Sequence, residues 1–250
     1  MMTFWIFAVA AAIGQLIDGA LGMGFGVVTS TMLLTLGASA AVSSAAVHMA
    51  EIATTLASGS SHWFRDNVDK NMLKKLAIPG GIGAFIGANF LSNIDLSSSK
   101  TFITTILMLL GFVLLYRSIF NSAINMTNIS SKKYFRFLGF TGGFIDASGG
   151  GGWGPVVTPT LMSTTTVEPR KIIGTVSASE FIVALSASVG FLININKIDL
   201  NWSIVGGLAL GGVLMAPIAA KIVSTINKKL LGILIASAII LINGYKLIAQ

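Results

Sequence analysis

The chain has 250 residues, 54% of them hydrophobic and only 10% charged, and its mean hydropathy is +0.84. Soluble domains carry about 25% charged residues. This composition therefore excludes a soluble globular enzyme and a disordered chain and leaves a polytopic α-helical membrane protein. The net charge of +7 reads as a topology marker and not as a nucleic-acid footprint; the absence of cysteine removes disulfides and thiolate chemistry.

In chain order, the first apolar run starts at Thr3 with no basic segment before it, so it does not read as a cleaved signal peptide. A full span needs about 20 residues, within a range of roughly 17–25. The apolar stretches at 3–17 and 25–36 fall short of that. Those at 41–63 and 73–91 are long enough, and 102–116 qualifies once its flanks join it. A linker rich in Asn, Ser and Thr follows at 122–132. A second short pair, 135–145 and 156–162, precedes three long stretches at 172–195, 204–222 and 230–248.

The two short pairs reveal an internal repeat. Gly14-Gln-Leu-Ile-Asp18 matches Gly142-Gly-Phe-Ile-Asp146, and Gly22-Met-Gly-Phe-Gly26 matches Gly150-Gly-Gly-Trp-Gly154, both at an offset of 128 residues. Downstream, Glu51 falls on Glu180, and Tyr116-Arg117 on Tyr245-Lys246, at an offset of 129. The expected organisation is a first repeat over 1–121, a cytoplasmic linker over 122–132 and a second repeat over 133–250.

Charge placement sets the topology. If each short pair makes an even number of crossings, one side of the membrane receives 13 Lys and Arg and the other only Lys100, Lys197 and Lys246. If each pair is one span, the split is 10 to 6. The positive-inside rule selects the first arrangement. Both termini then face out, the linker is cytoplasmic, and the halves are inverted, which is a transporter architecture.

Glycine runs sit at both breaks: Gly19, Gly22, Gly24 and Gly26, then Gly149 to Gly152 and Gly154. Irregular backbone at membrane depth is tolerated only where protein or a wet cavity surrounds it. A helix restarting after each run aims its N–H groups and positive dipole end at that cavity, a site for an anion without a lysine. The glycines of the long stretches, Gly80, Gly81, Gly83, Gly87, Gly206, Gly207, Gly211 and Gly212, read instead as packing contacts. The runs lack a Gly-Lys-Ser/Thr sequence, so nothing supports nucleotide binding.

Asp18 and Asp146 precede the runs. They either act as intramembrane ionisable groups or cap the broken helices. Glu51 and Glu180, within long stretches, either carry a proton or brace the breaks. His48 lies one turn before Glu51, and Ser177 one turn before Glu180. His48 is a satisfied core histidine or a contact for the anion. Met23, Phe25 and Trp153 sit inside the glycine elements, where they wall a cavity or simply pack; Trp63 and Trp202 read as interfacial anchors. The competing class is an intramembrane metal-binding protein or enzyme built on His48, Glu51 and Glu180.

The elements Ile17-Asp-Gly-Ala-Leu-Gly-Met-Gly-Phe-Gly26 and Ile145-Asp-Ala-Ser-Gly-Gly-Gly-Gly-Trp-Gly-Pro155, each followed by a helix with an internal glutamate, resemble the sulfite exporter TauE/SafE family over nearly the whole chain. In the first half Val27 stands where the second has Pro155, so the halves are not equivalent. The resemblance implies a secondary transporter of sulfite, organosulfonates or related oxyanions in the cell membrane. By motif match, Gly22, Met23, Gly24, Phe25 and Gly26 with Gly150, Gly151, Gly152, Trp153 and Gly154 line the pocket. The expected fold is all-α, with two inverted repeats, each a broken-helix hairpin followed by three transmembrane helices. The expected partners are a small anion and the lipid bilayer, with no nucleic acid and no cofactor, metal or enzymatic activity.

Overall fold

The computed structural model describes residues 2–21, 23–120, 131–222 and 227–249. Gly22 and most of the linker lie outside the described residues. The described residues form ten α-helices and no strand: α1 Met2–Leu21, α2 Phe25–Thr35, α3 Ala40–Phe64, α4 Lys70–Asn93, α5 Leu96–Phe120, α6 Lys132–Gly149, α7 Trp153–Thr164, α8 Pro169–Ile193, α9 Trp202–Ile222 and α10 Lys228–Ile248. Local chemistry sets several starts. The Asp69 side chain accepts from Asn71 N and Met72 N, Ser39 accepts from Val42 N, Asn227 accepts from Leu230 N, and Pro169 opens α8.

Helices α5, α8, α9 and α10 are long and apolar enough to cross a membrane. Helices α3 and α4, at 25 and 24 residues, have the length but are less apolar, α3 through its internal His48 and Glu51 and α4 through Lys70, Lys74 and Lys75 at its start. α1 and α6 run to 20 and 18 residues, longer than their apolar stretches, because each continues through its aspartate into the glycine run. α2 and α7, at 11 and 12 residues, remain too short to span. Each short pair is thus one near-full helix and one half helix.

The polarity of the molecule is reversed relative to a soluble protein. Large apolar side chains such as Trp5, Phe64, Leu96, Leu214 and Leu241 face outward, while Ser30, Ser43, Ser44, His48, Glu51 and Asp146 are buried. Lipid solvates the first set, and protein must satisfy the second.

Packing is reciprocal between the halves. α4 lies along α6 and α9 along α1; α3 faces α8, and α5 faces α10. Glycines set the close approaches. A Cβ on Gly83 or Gly143 would strike the backbone of Phe140 or Gly80, joining α4 to α6, and one on Gly211 would strike that of Ala8, joining α9 to α1. This reciprocity brings α2 and α7, the two half helices, to the middle of the molecule.

Candidate functional site

The two glycine runs, 128 residues apart in sequence, touch. A methyl group built on Gly26 would stand 2.6 Å from Gly151 Cα and 3.4 Å from Gly150 O; one built on Gly154 would stand 3.1 Å from Met23 Cβ. Gly24, Gly150 and Gly151 have positive φ of 124°, 74° and 131°, conformations in which glycine has no steric cost. Here the glycines do two jobs, turning the chain between helices and letting backbone meet backbone.

Each aspartate closes its own break. Asp146 Oδ1 accepts from Gly152 N at 2.6 Å and from Trp153 N at 2.9 Å, and Gly151 N donates to the Asp146 carbonyl. Asp18 Oδ1 accepts from Phe25 N at 3.4 Å, a longer bond and the only one for this side chain among the described residues. By helix geometry the N–H groups of Gly26, Val27 and Gly154 also lack an intrahelical acceptor. Pro155 contributes none.

The second carboxylate oxygen of Asp146 reaches His48 of α3: Oδ2 lies 3.1 Å from Nε2, with the pair fully buried. His48 Nδ1 lies 2.7 Å from the Ser44 carbonyl, which only accepts, so Nδ1 carries a proton. Nε2 and Oδ2 then share one further proton between them. The contact ties the first half to the second half's break. Ser44 Oγ adds a bond to Ala147 O, and Ser30 Oγ donates to Gly150 O. Trp153, fully buried, donates from Nε1 to Val176 O and rests its ring on Gly80.

Glu51 sits beside this junction, 3% exposed. Its Oε1 would stand 3.1 Å from a Cβ on Gly26, and its Oε2 has no hydrogen-bond partner among the described residues. Glu51 lies within electrostatic reach of Asp146, Glu180 and Asp18. Ligand atoms of His48, Glu51 and Asp146 lie within 4.8 Å of one another. Asp146, not Glu180, thus completes the trio that a cation would meet.

Ser177 is placed elsewhere. It hydrogen-bonds Ser58 of α3 at 2.7 Å, on the α3–α8 interface. Just beyond that pair, Thr55, Gly59, Ser60, Trp63 and Ala178 help line a cavity of about 230 Å³. Phe25 packs its ring against Gly14 and Gly212. A residue outside the sequence expectations also reaches the break: the Arg117 guanidinium contacts the sulfur atoms of Met23 and Met162, each at 3.0 Å. Charge counting puts Arg117 on a membrane face, and no sequence signal places it beside Met23.

The family model described as "Sulfite exporter TauE/SafE" matches residues 6–245, and the chain belongs to that family. It is 46% identical over 248 residues to a Bacillus subtilis (strain 168) protein named "Probable membrane transporter protein YtnM", covering 98% of this chain and 83% of that one. No solved structure matches the chain. The protein is a membrane transporter.

Proposed function

We propose that this family member is a secondary transporter that exports sulfite, or a related sulfur oxyanion or organosulfonate, across the cell membrane. The anion is held where the two glycine-rich breaks meet. The observation that carries this reading is the contact of Gly26 with Gly151 and of Gly154 with Met23, which puts two helix starts from different halves at one place. In the closed arrangement the breaks touch and Asp146 occupies the first amides of α7. Parting the breaks would admit the anion to the remaining N–H groups of Gly26, Val27 and Gly154 and to the His48 imidazole.

The reciprocal packing and the 13-to-3 distribution of Lys and Arg support halves inverted about the membrane plane, with both termini outside and the linker in the cytoplasm. Rocking of one half against the other would open the junction to each side in turn. Export needs no nucleotide: an anion leaving a cell that is negative inside gains about 2.3 kcal/mol per charge per 100 mV.

Flux measured in proteoliposomes with sulfite, thiosulfate and a sulfonate, with and without an imposed potential, tests this. Export predicts flux that accelerates when the compartment holding the anion is made negative. No flux of any of the three anions overturns the reading. Flux that survives bulky substitutions at both Gly26 and Gly151 in a correctly inserted protein overturns the location of the pocket.

A further inference from the structure

The centre of the molecule is an odd place for an anion. It holds Asp18, Glu51, Asp146 and Glu180 against one imidazole. Cations that could attract an oxyanion must come from elsewhere, and two in the helices stand out because their charged groups turn inward with no acid among the described residues to neutralise them. Arg117, in the last turn of α5, is half-buried. Its guanidinium does not reach out along the helix towards a headgroup. It lies between two methionines, with Nη1 on Met23 Sδ and Nη2 on Met162 Sδ. Thioethers are weak acceptors, and no acidic side chain among the described residues acts on this group. Met23 is the residue that packs on Gly154, so the guanidinium stands one side chain away from the junction of the breaks.

Lys246 occupies the corresponding position of the second repeat, in the last turn of α10. Its Nζ is buried with no hydrogen-bond partner among the described residues, and the charge it senses is another cation, Lys100. One turn earlier, Asn243 of the same helix bonds Thr31 of the half helix α2, just as Arg117 of α5 reaches Met162 of the half helix α7. Two repeats therefore each place a cation without an acidic partner among the described residues near the end of their last helix, Arg117 against the half helix α7 and Lys246 one turn beyond the Asn243 that bonds the half helix α2.

We propose that Arg117 and Lys246 are the two recognition points for the anion, one on each side of the junction, with Arg117 taking two substrate oxygens on its fork and Lys246 taking the anion as a point charge. This rests on the transporter reading above and names the residues that make it selective for oxyanions. The planar guanidinium matches a pair of oxygens in a way an ammonium does not. The chain would then draw the substrate in at the two mouths and hold it only briefly at the junction of the breaks, where the nearby carboxylates favour its release.

The test is kinetics of sulfite and thiosulfate flux in proteoliposomes for the wild type, R117Q, R117K and K246Q, with the thermal midpoint of each purified protein measured in detergent. R117Q is expected to raise KM by about tenfold or more, with an unchanged midpoint and a smaller change in kcat. R117K recovers only part of the loss. K246Q raises KM when the anion is presented from the opposite face. An unchanged KM in both R117Q and K246Q, in proteins that still transport, overturns this proposal alone. A wild type that moves neither anion, nor a sulfonate, overturns the transporter reading and this proposal with it. Full recovery by R117K removes the fork and leaves only charge, which overturns the bidentate role of Arg117.

Discussion

The two breaks share a sequence pattern but are built to different standards. In the second half, Asp146 holds two amides of α7 on one oxygen and His48 on the other, and Ser30 and Ser44 of the first half tie down Gly150 and Ala147. In the first half, Asp18 makes one bond of 3.4 Å to Phe25 N among the described residues, and among these a Cβ on Gly24 would meet only Ile17, at 3.8 Å. Pro155 stiffens the first turn of α7, whereas Val27 occupies that place in α2. Duplicated motifs can therefore diverge in role. Among the described residues, the second break is held by more bonds than the first.

The largest expected effect comes from Gly151. An alanine there keeps a φ of 131° and drives its methyl into the Gly26 backbone. Strain and overpacking together should cost about 4 kcal/mol, read as loss of folded protein or a steep fall in thermal midpoint. Gly24→Ala meets the same strain at φ 124° without the clash and should cost about 1–2 kcal/mol. Equal losses at the two positions would break the distinction between the tightly packed break and the more open one.

Asp146→Ala comes next. It strips a buried histidine and two amides of their acceptor, at a cost of about 3 kcal/mol. Asp18→Ala removes one long capping bond and should cost about 1 kcal/mol. Chemical denaturation in mixed micelles measures both. A larger loss at Asp18 would reverse the assignment of the rigid half.

Ser44→Ala deletes a bond between the halves and should cost about 0.6–1 kcal/mol. Flux is expected to persist, with the second break less firmly held. The smallest effect is expected at Ser58→Ala, which breaks the pair with Ser177 on the α3–α8 interface and should change stability by about 0.6 kcal/mol. A strong transport defect there would bring Ser177 and the neighbouring cavity back into the substrate path.

Much of this is legible in residues alone. A glycine run after a short apolar stretch has few uses at membrane depth, so the breaks, their aspartates and the glutamate of the following helix stand out. The packing glycines are readable from their place in long helices. The helices themselves overrun the apolar stretches, because Asp18 and Asp146 are helical residues whose side chains fold back onto the next helix start. Long-range pairing is hidden. Nothing local in Val47-His48-Met49 says that the ring meets an aspartate 98 residues away, and nothing in Ser177 says that its neighbour is Ser58 and not Glu180. Arg117 misleads for a related reason: a basic residue at a helix end counts as a topology marker until its side chain is seen to turn inward.

The reciprocal packing has a consequence for how the chain is made. α1 leaves the ribosome before the other described helices, yet the helix that covers it is α9, the ninth of ten among the described residues, and α6 is covered by α4 from the other half. Neither half can complete its own interior. With the halves inverted as proposed, a half-length chain would need a second copy, inserted the opposite way, to supply the missing helix. Two halves synthesised separately should find each other in the bilayer and rebuild the whole.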